Sequence, residues 1–172
     1  MSNPIGIDEC DSPIGAIRIA HRGGRVCGLA FADRWDRAAA LLRRRFGCEL
    51  VEGTGCAQGA VGCIHRYFAG DLPALGEIEI ELKGTPFQLA VWRRLRAIPP
   101  GTTESYGSIA AMIGAPSAVR AVGAANGSNP ISLVIPCHRV IGADGSLINY
   151  GGGIERKRWL IDHEKPNLVL KG

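Results

Sequence analysis

The constraint that narrows the fold most is a change of hydrophobic period at Gly84-Thr85-Pro86. Before it, apolar residues come in short alternating runs, the pattern of strands. After it they recur every three or four residues, the pattern of helices. One sheet or one bundle cannot satisfy both periods. The chain therefore reads as two units, an α/β domain over 1–84 and a mainly helical domain over 85–172. A chain of 172 residues is long enough for two small domains with a real core.

In the first unit, Ala16-Ile17-Arg18-Ile19-Ala20 and Val26-Cys27-Gly28-Leu29-Ala30-Phe31 read as strands. His21-Arg22-Gly23-Gly24-Arg25 joins them with the glycines a hairpin turn needs. Trp35, Ala38, Leu42 and Phe46 mark an amphipathic helix, whose Arg37, Arg43 and Arg44 read as a solvated face. Cys56 to Phe68 reads as a shorter helix stopped by Ala69-Gly70-Asp71, and Ile78-Glu79-Ile80-Glu81-Leu82 as a half-buried strand. The expected architecture is a small antiparallel sheet with flanking helices.

The second unit opens with a helix that Thr85 caps and Pro86 starts, with Phe87, Val91, Leu95 and Ile98 as its apolar stripe. Ser105 to Ile113 forms another short helix ending at Gly114. After Ala115-Pro116, Ser117 is placed to cap a helix over Ala118 to Asn126, with Val119 and Val122 facing inward. Two short helices joined by a tight turn are the sequence form of a helix-turn-helix. The outer side of the second helix is unusual, because Ala121, Ala124 and Ala125 are small, Gly123 interrupts them, and Arg120 is the one long side chain. Such a surface suits either a nucleic-acid groove with an inserted arginine or a close helix–helix contact.

The chemistry concentrates at Pro136-Cys137-His138-Arg139, which follows the strand-like apolar run Ile131 to Ile135. A free thiol titrates at about 8.5 and is a strong nucleophile only as thiolate, so it needs a base or a positive charge beside it. His138 and Arg139 are the right types of residue. A lone cysteine after an apolar run is also an ordinary small core residue, and the adjacent residues alone leave both readings open.

Composition removes several classes. With 46% hydrophobic and 21% charged residues the chain is an ordinary globular protein. It holds no apolar run long enough for a membrane span, and Met1-Ser2-Asn3-Pro4 begins no signal sequence. The expected setting is the cytosol, in contact with the nucleoid. The six cysteines, Cys10, Cys27, Cys48, Cys56, Cys63 and Cys137, form no CxxC and fit reduced thiols. A metal site from Cys10, His21 and Cys27 is the one grouping the residues offer. Residues 1–84 carry a net charge of −1 and residues 85–172 one of +5, which points the second unit towards a polyanion.

Pro136-Cys137-His138-Arg139-Val140, preceded by Arg120-Ala121-Val122-Gly123 and Asn129-Pro130, resembles the O6-alkylguanine-DNA alkyltransferases, or methylated-DNA–protein-cysteine methyltransferases. The resemblance runs from Phe87-Gln88-Leu89-Ala90-Val91-Trp92 through Ser105-Tyr106-Gly107 and Tyr150-Gly151-Gly152-Gly153 to His163-Glu164. It covers nearly all of residues 85–165, and the first 84 residues more loosely, through Asp11-Ser12-Pro13-Ile14-Gly15 and Tyr67-Phe68-Ala69-Gly70. It implies an RNase H-like first domain and a winged helix-turn-helix-like second one. It also implies a single-turnover transfer of an alkyl group from O6-alkylguanine, and from O4-alkylthymine, to Cys137.

By the same resemblance His138 acts as base through a water, Glu164 orients it, Asn129 holds the cysteine turn, and Tyr106 protonates the leaving base. Arg120, Ala121, Gly123, Ala124 and Ser128 contact DNA, with Arg120 as the finger that replaces a flipped base. Val140, Tyr150, Gly151 and Gly152 line the base pocket, and Arg139 ties the turn to its surroundings. The expected partner is double-stranded DNA containing O6-alkylguanine, bound by a monomer, with no membrane and no cofactor. Some members bind zinc in the first domain, but Arg22 and Leu82 stand near where ligands would fall, so no metal is expected.

Two further departures stand out. Ser128 occupies a position often basic in bacterial members, and Gly151 one often held by serine or alanine. A smaller residue at 151 loosens the pocket towards larger alkyl groups. Two other functions use part of the same residues. A DNA-binding regulator would use the helix-turn-helix without chemistry, and a cysteine hydrolase would use Cys137 and His138 but leave the basic half surplus.

Overall fold

A computed structural model describes residues 3–55 and 57–165. Cys56, the expected start of the second helix, and residues 166–172 of the expected second domain lie outside the described residues. The chain opens with β1 (Ile5–Cys10), β2 (Ile17–Arg22) and β3 (Arg25–Phe31), followed by α1 (Trp35–Phe46), β4 (Leu50–Glu52) and α2 (Gln58–Phe68). Then come α3 (Pro86–Arg96), β5 (Glu104–Ser105), α4 (Tyr106–Met112), α5 (Val119–Gly127), β6 (Val140–Ile141) and α6 (Ile154–Glu164).

The first sheet has the order β3-β2-β1-β4. The expectation of a purely antiparallel sheet is corrected: β1–β2 and β2–β3 are antiparallel, but β4 runs parallel to β1. The reason is the route of the chain. A parallel neighbour requires a crossover of about a dozen residues, and α1 supplies it by carrying the chain across one face of the sheet. The hairpin between β2 and β3 turns at Gly23 and Gly24, whose φ of 56° and 79° give the left-handed pair that a two-residue hairpin demands.

Alternation, shifted once in β3 by an irregularity opposite Ala20 and His21, assigns the two faces of the sheet. Ile5, Ile7, Ala20 and Cys27 meet Leu42 and Phe46 of α1 in one cluster. Gly28 lets α1 approach, since a Cβ there would lie 2.8 Å from Leu42 Cδ1. Ile17, Ile19, Leu29 and Phe31 point the other way, into a larger core shared with α2, α3 and the residues around Cys137. Residues before and after Thr85 thus share one core on that face of the sheet.

The strand expected at Ile78–Leu82 is reduced to one bridge, Ile80 beside Val26. Val26 N donates to Glu79 O at 2.9 Å and Glu81 N to Val26 O at 2.9 Å. Alternation reported burial of one side correctly, but the chain leaves the sheet edge at once. A second segment uses the same edge of β3. Leu29 N donates to Pro130 O at 3.0 Å, and Ser132 N to Leu29 O at 3.1 Å. The sheet edge therefore docks the loop that leads to Cys137.

In the second unit α3 begins as expected, with Thr85 and Gln88 in a reciprocal capping box and Pro86 in the first turn. Val91, Trp92 and Leu95 are its buried residues. Ser105 caps α4, and Gly114, at φ 77°, ends it. Three expectations for α5 are corrected. Its N-cap is Ala118 with no side-chain bond, so Ser117 caps nothing, and Val119 is exposed. Burial on this helix follows the face turned to its neighbours, Val122, Ala125 and Asn126, and the first turn projects past them. Ala125, expected on the outer side, is on that inner face, where its carbonyl accepts from Trp92 Nε1 at 2.9 Å. Ala121 and Ala124 remain exposed beside Arg120.

Thr85→Ala removes the reciprocal cap of α3. It is expected to lower stability by about 1 kcal/mol, which for a chain of this size lowers Tm by roughly 3 °C. Thermal unfolding followed by circular dichroism measures it.

Candidate active site

The cysteine turn is built by local hydrogen bonds rather than by a strand. Asn129 Nδ2 donates to Ile135 O at 2.7 Å, and Ile131 N donates to Asn129 Oδ1 at 3.0 Å, so one side chain closes the loop from Ile131 to Ile135. Inside it, Val134 N donates to Ser132 O across Leu133, whose φ is 71°. A non-glycine residue at positive φ is a strained conformation held by its surroundings. The strand-like reading of 131–135 is therefore corrected. Burial made the run apolar, and a short fully apolar run does not distinguish a strand from a buried loop. At Pro136, φ −81° and ψ 66° give an inverse γ-turn, with Cys137 N donating to Ile135 O at 2.8 Å. A single 3-10 turn, Cys137–Arg139, follows.

Three side chains of that turn enter the core: Cys137 is 5% exposed, His138 0% and Arg139 6%. The last residue of α6, Glu164, meets them. His138 Nε2 donates to Glu164 Oε2 at 2.7 Å. Arg139 grips the same carboxylate twice, Nε to Oε1 at 2.7 Å and Nη2 to Oε2 at 3.0 Å. Arg139 Nη1 also donates to Ile98 O at 2.6 Å, so it ties the turn to the end of α3. The structure brings Cys137, His138, Arg139, Asn129 and Glu164 together, and His138 Nδ1 has no hydrogen-bond partner among the described residues.

Burial sets the charge states. It pushes the Cys137 thiol up, against the Asn129 hydrogen bond and the Lys157 charge that favour thiolate. It also pulls the His138 imidazole down, against the Glu164 hydrogen bond and charge. Burial alone would raise Glu164, but the bonds from His138 and Arg139 outweigh it and hold the carboxyl well below its usual range. The resting site is therefore a neutral thiol beside a neutral imidazole, backed by an ionised carboxylate. A thiol in that state reacts only as its proton leaves, so it needs a base.

The remaining expected residues divide: Tyr106 and Tyr150 adjoin this centre, whereas Gly151 and Gly152 line a cleft whose walls, among the described residues, do not include Cys137. Tyr106, at the start of α4, is buried and its hydroxyl lies 3.4 Å from Ile148 O. Burial, then the nearby Cys137, raises its pKa, so it stays a proton donor. Gly123 of α5 packs over it, with an added Cβ 4.0 Å from Tyr106 Cδ1. Val140 is fully buried, in β6. Tyr150 sits edge-on to His138 at 6.3 Å, and its buried hydroxyl has no partner among the described residues.

Gly152 leaves no room for a side chain, since a Cβ would meet Tyr150 at 2.7 Å and Phe31 at 2.9 Å, whereas Gly151 faces open space. Both line a cleft of about 350 Å³ with Phe31, Arg37, Asn129 and Ser132. Ser128 Oγ donates to Ala125 O at 3.1 Å, and its backbone carbonyl accepts from Arg45 Nη2 at 3.4 Å.

Three residues with a place here carried no expected role. Lys157 is fully buried, donates to Ile148 O at 2.7 Å, and has its pKa pulled down to about 8 by burial, against the pull of Cys137. Its signal was present in the spacing, because Lys157, Leu160 and Glu164 share one face of α6 at i, i+3 and i+7. Arg45 stacks over Trp92, 5.3 Å from the ring centroid, and no sequence pattern set it apart from Arg43 and Arg44. Tyr67 of α2 donates its hydroxyl to Glu164 Oε2 at 2.6 Å. As for a metal, His21 is held by Asp8 Oδ2 at 3.0 Å and Thr54 Oγ1 at 2.8 Å, and no group of three potential ligands converges among the described residues.

Comparisons with known proteins converge on one family. Residues 86–166 match the family described as 6-O-methylguanine DNA methyltransferase, DNA binding domain. The methylated-DNA–protein-cysteine methyltransferase of Mycobacterium tuberculosis (strain ATCC 25618 / H37Rv) is 46% identical over 155 residues, covering 90% of this chain and 89% of the relative. That of Salmonella typhimurium (strain LT2) is 48% identical over 134 residues, 78% of each. The crystal structure of the Mycobacterium tuberculosis protein OGT in complex with DNA superposes with a TM-score of 0.80 at 41% identity, over 97% of this chain and 99% of that one.

Because Glu164 titrates lower when folded than when unfolded, the unfolded chain takes up that proton first as pH falls. The stability it contributes is complete above the unfolded value and is lost as pH drops towards the folded one. Glu164→Gln is expected to cost about 3 kcal/mol near neutrality, by leaving buried Arg139 without its counter-ion. It should also flatten the loss of stability between about pH 3 and 5. Urea unfolding across that range measures both.

Proposed function

Since the chain belongs to the methylated-DNA–protein-cysteine methyltransferase family, we propose that it repairs O6-alkylguanine in duplex DNA by moving the alkyl group to Cys137. The observation that carries the assignment is the buried Glu164–His138 pair behind a cysteine held by its own turn, next to a pair of short helices that carries Arg120 on its outer side.

The chemistry follows from the charge states. The Cys137 proton passes to His138 through a water at the unpartnered Nδ1, while Glu164 keeps Nε2 protonated and stabilises the imidazolium as it forms. The sulfur attacks the alkyl carbon, the S–C bond forms, and the C–O bond breaks with its electron pair going to the base oxygen. Tyr106 donates a proton to the ring nitrogen, so the base leaves neutral, and the imidazolium proton restores the phenol. The balance is one thiol and one alkylguanine in, one thioether and one guanine out. Lys157 favours the thiolate as it develops, and Asn129 both shapes the turn and donates towards the sulfur.

The supporting surface is the α4–turn–α5 pair, read as the helix-turn-helix of a winged domain that begins at residue 85. Arg120 and the exposed Ala121 and Ala124 form its smooth outer side. Small side chains admit a close approach to the minor groove, and Arg120 fills the gap left by the lesion base. Flipping is needed because the reacting oxygen is unreachable inside the stack, and it costs a few kcal/mol. Val140, Tyr150, Gly151 and Gly152 then surround the flipped base, and O4-alkylthymine enters the same pocket. The first domain, 1–84, is read as RNase H-like. The protein works as a monomer in the cytoplasm, in contact with the nucleoid. A thioether does not hydrolyse at neutral pH, so each molecule acts once and needs no cofactor.

Incubation with a duplex carrying O6-methylguanine is expected to add one methyl mass to the peptide containing Cys137, and mass spectrometry reads it. A DNA-binding regulator would stay unmodified, and a hydrolase would instead turn over on an ester. Cys137→Ala is expected to leave the lesion in place.

Gly151 faces open space in the cleft wall, so Gly151→Ser adds bulk without disturbing the fold. It is expected to slow repair of benzylated guanine relative to methylated guanine by several-fold, as a methylene-sized obstruction does. Single-turnover rates on the two substrates decide it, and an unchanged ratio would refute the role of Gly151.

A further inference from the structure

Glu164 Oε2 is shared by three donors. His138 Nε2 lies at 2.7 Å and Arg139 Nη2 at 3.0 Å, both from the cysteine turn, while the Tyr67 hydroxyl at 2.6 Å comes from α2 of the other unit. Tyr67 is fully buried, and its position is over-determined. Its ring packs edge-on against Phe68 at 5.1 Å and His163 at 5.2 Å, and its carbonyl accepts from His163 Nε2 at 2.9 Å. Burial and the Glu164 charge push its pKa up, so it is a fixed phenol that can only donate to this carboxylate.

A carboxylate oxygen has a limited charge to share. Each donor that draws on Oε2 reduces what it offers the next, so the Tyr67 bond weakens the hold of Oε2 on the His138 proton. From this arrangement we infer that Tyr67 is a positioning residue for alkyl transfer, setting through Glu164 how readily His138 gives and takes its proton. The inference rests on the alkyl-transfer reading of Cys137. It assigns the N-terminal domain a part in the reaction, beyond carrying the cysteine turn on its sheet edge.

The other groups around His138 do not substitute for it. Glu164 and Lys157 face it from α6, Arg139 and Cys137 belong to its own turn, and Tyr150 is edge-on at 6.3 Å. Of these, only Arg139 also bonds Glu164. Its two bonds hold the carboxylate in place when the hydroxyl of Tyr67 is removed, so Tyr67→Phe changes the charge on Oε2 more than its position.

The test is the pH profile of the single-turnover rate. It is read in two ways, by methyl transfer from a lesion duplex and by alkylation of Cys137 with iodoacetamide without DNA. In Tyr67→Phe, His138 holds its proton more tightly and blocks the base at higher pH. The acid limb is expected to move up by about half a pH unit, roughly threefold in the protonation equilibrium, with DNA affinity unchanged. Replacing Tyr67 by 3-fluorotyrosine keeps ring and packing but strengthens the donor, so the limb should move down. This arm also answers the question if Tyr67→Phe folds poorly. In a Glu164→Gln background neither change should move the limb. An acid limb that stays fixed in both variants, moves the opposite way, or shifts equally in that background overturns the inference. The iodoacetamide profile judges Tyr67 even if methyl transfer from DNA fails, so failure of the repair reading is distinguished from failure of this one.

Discussion

One buried carboxylate organises the molecule. Glu164 is 3% exposed and receives bonds from His138, twice from Arg139, and from Tyr67. An ion of this kind loses several kcal/mol of solvation on burial and is tolerated only when well paired. Those bonds bring three separate pieces of chain to one point: the end of α6, the cysteine turn and α2. The same requirement that keeps the charge solvated by the protein holds the histidine in one orientation. Structural necessity and chemical function share a single anion here.

Around that point the backbone is held by means that alternation or periodicity alone do not describe. The loop from Pro130 to Ser132 hydrogen-bonds to the edge of β3, Asn129 closes it from within, and Leu133 is forced to positive φ. A strained residue persists only where its neighbours over-determine it, and these neighbours come from both units. The cysteine is therefore placed by a sheet edge, an amide side chain and a proline turn in succession. Each acts on backbone, so the position of the thiol is set by the chain around it.

Much of this was legible in the sequence, for identifiable reasons. Thr85 and Pro86 announced α3, because capping chemistry is local. Gly23-Gly24 announced the hairpin, because positive φ selects glycine. The cysteine, histidine, asparagine and glutamate were found through their order along the chain rather than through any single spacing. What failed was non-local. The apolar stretch 131–135 is buried as a loop, since burial does not specify hydrogen bonding. The direction of β4 depends on where α1 delivers the chain. Tyr67 lay in plain view next to Phe68, yet its partner is 97 residues away and no local pattern could join them.

The covered edge of β3 has a consequence for how the protein behaves in bulk. Unpaired strand edges are templates for adding foreign strands, and natural sheets hide or shorten them. Here one outer edge is occupied by the segments at Glu79–Glu81 and Pro130–Ser132, and the other ends in β4, three residues long. On the proposed single-turnover chemistry, a reagent consumed molecule by molecule must be made in numbers that match the damage, and accumulation is where edge-to-edge aggregation would be most harmful. The fold meets that hazard with the same loop that carries its nucleophile.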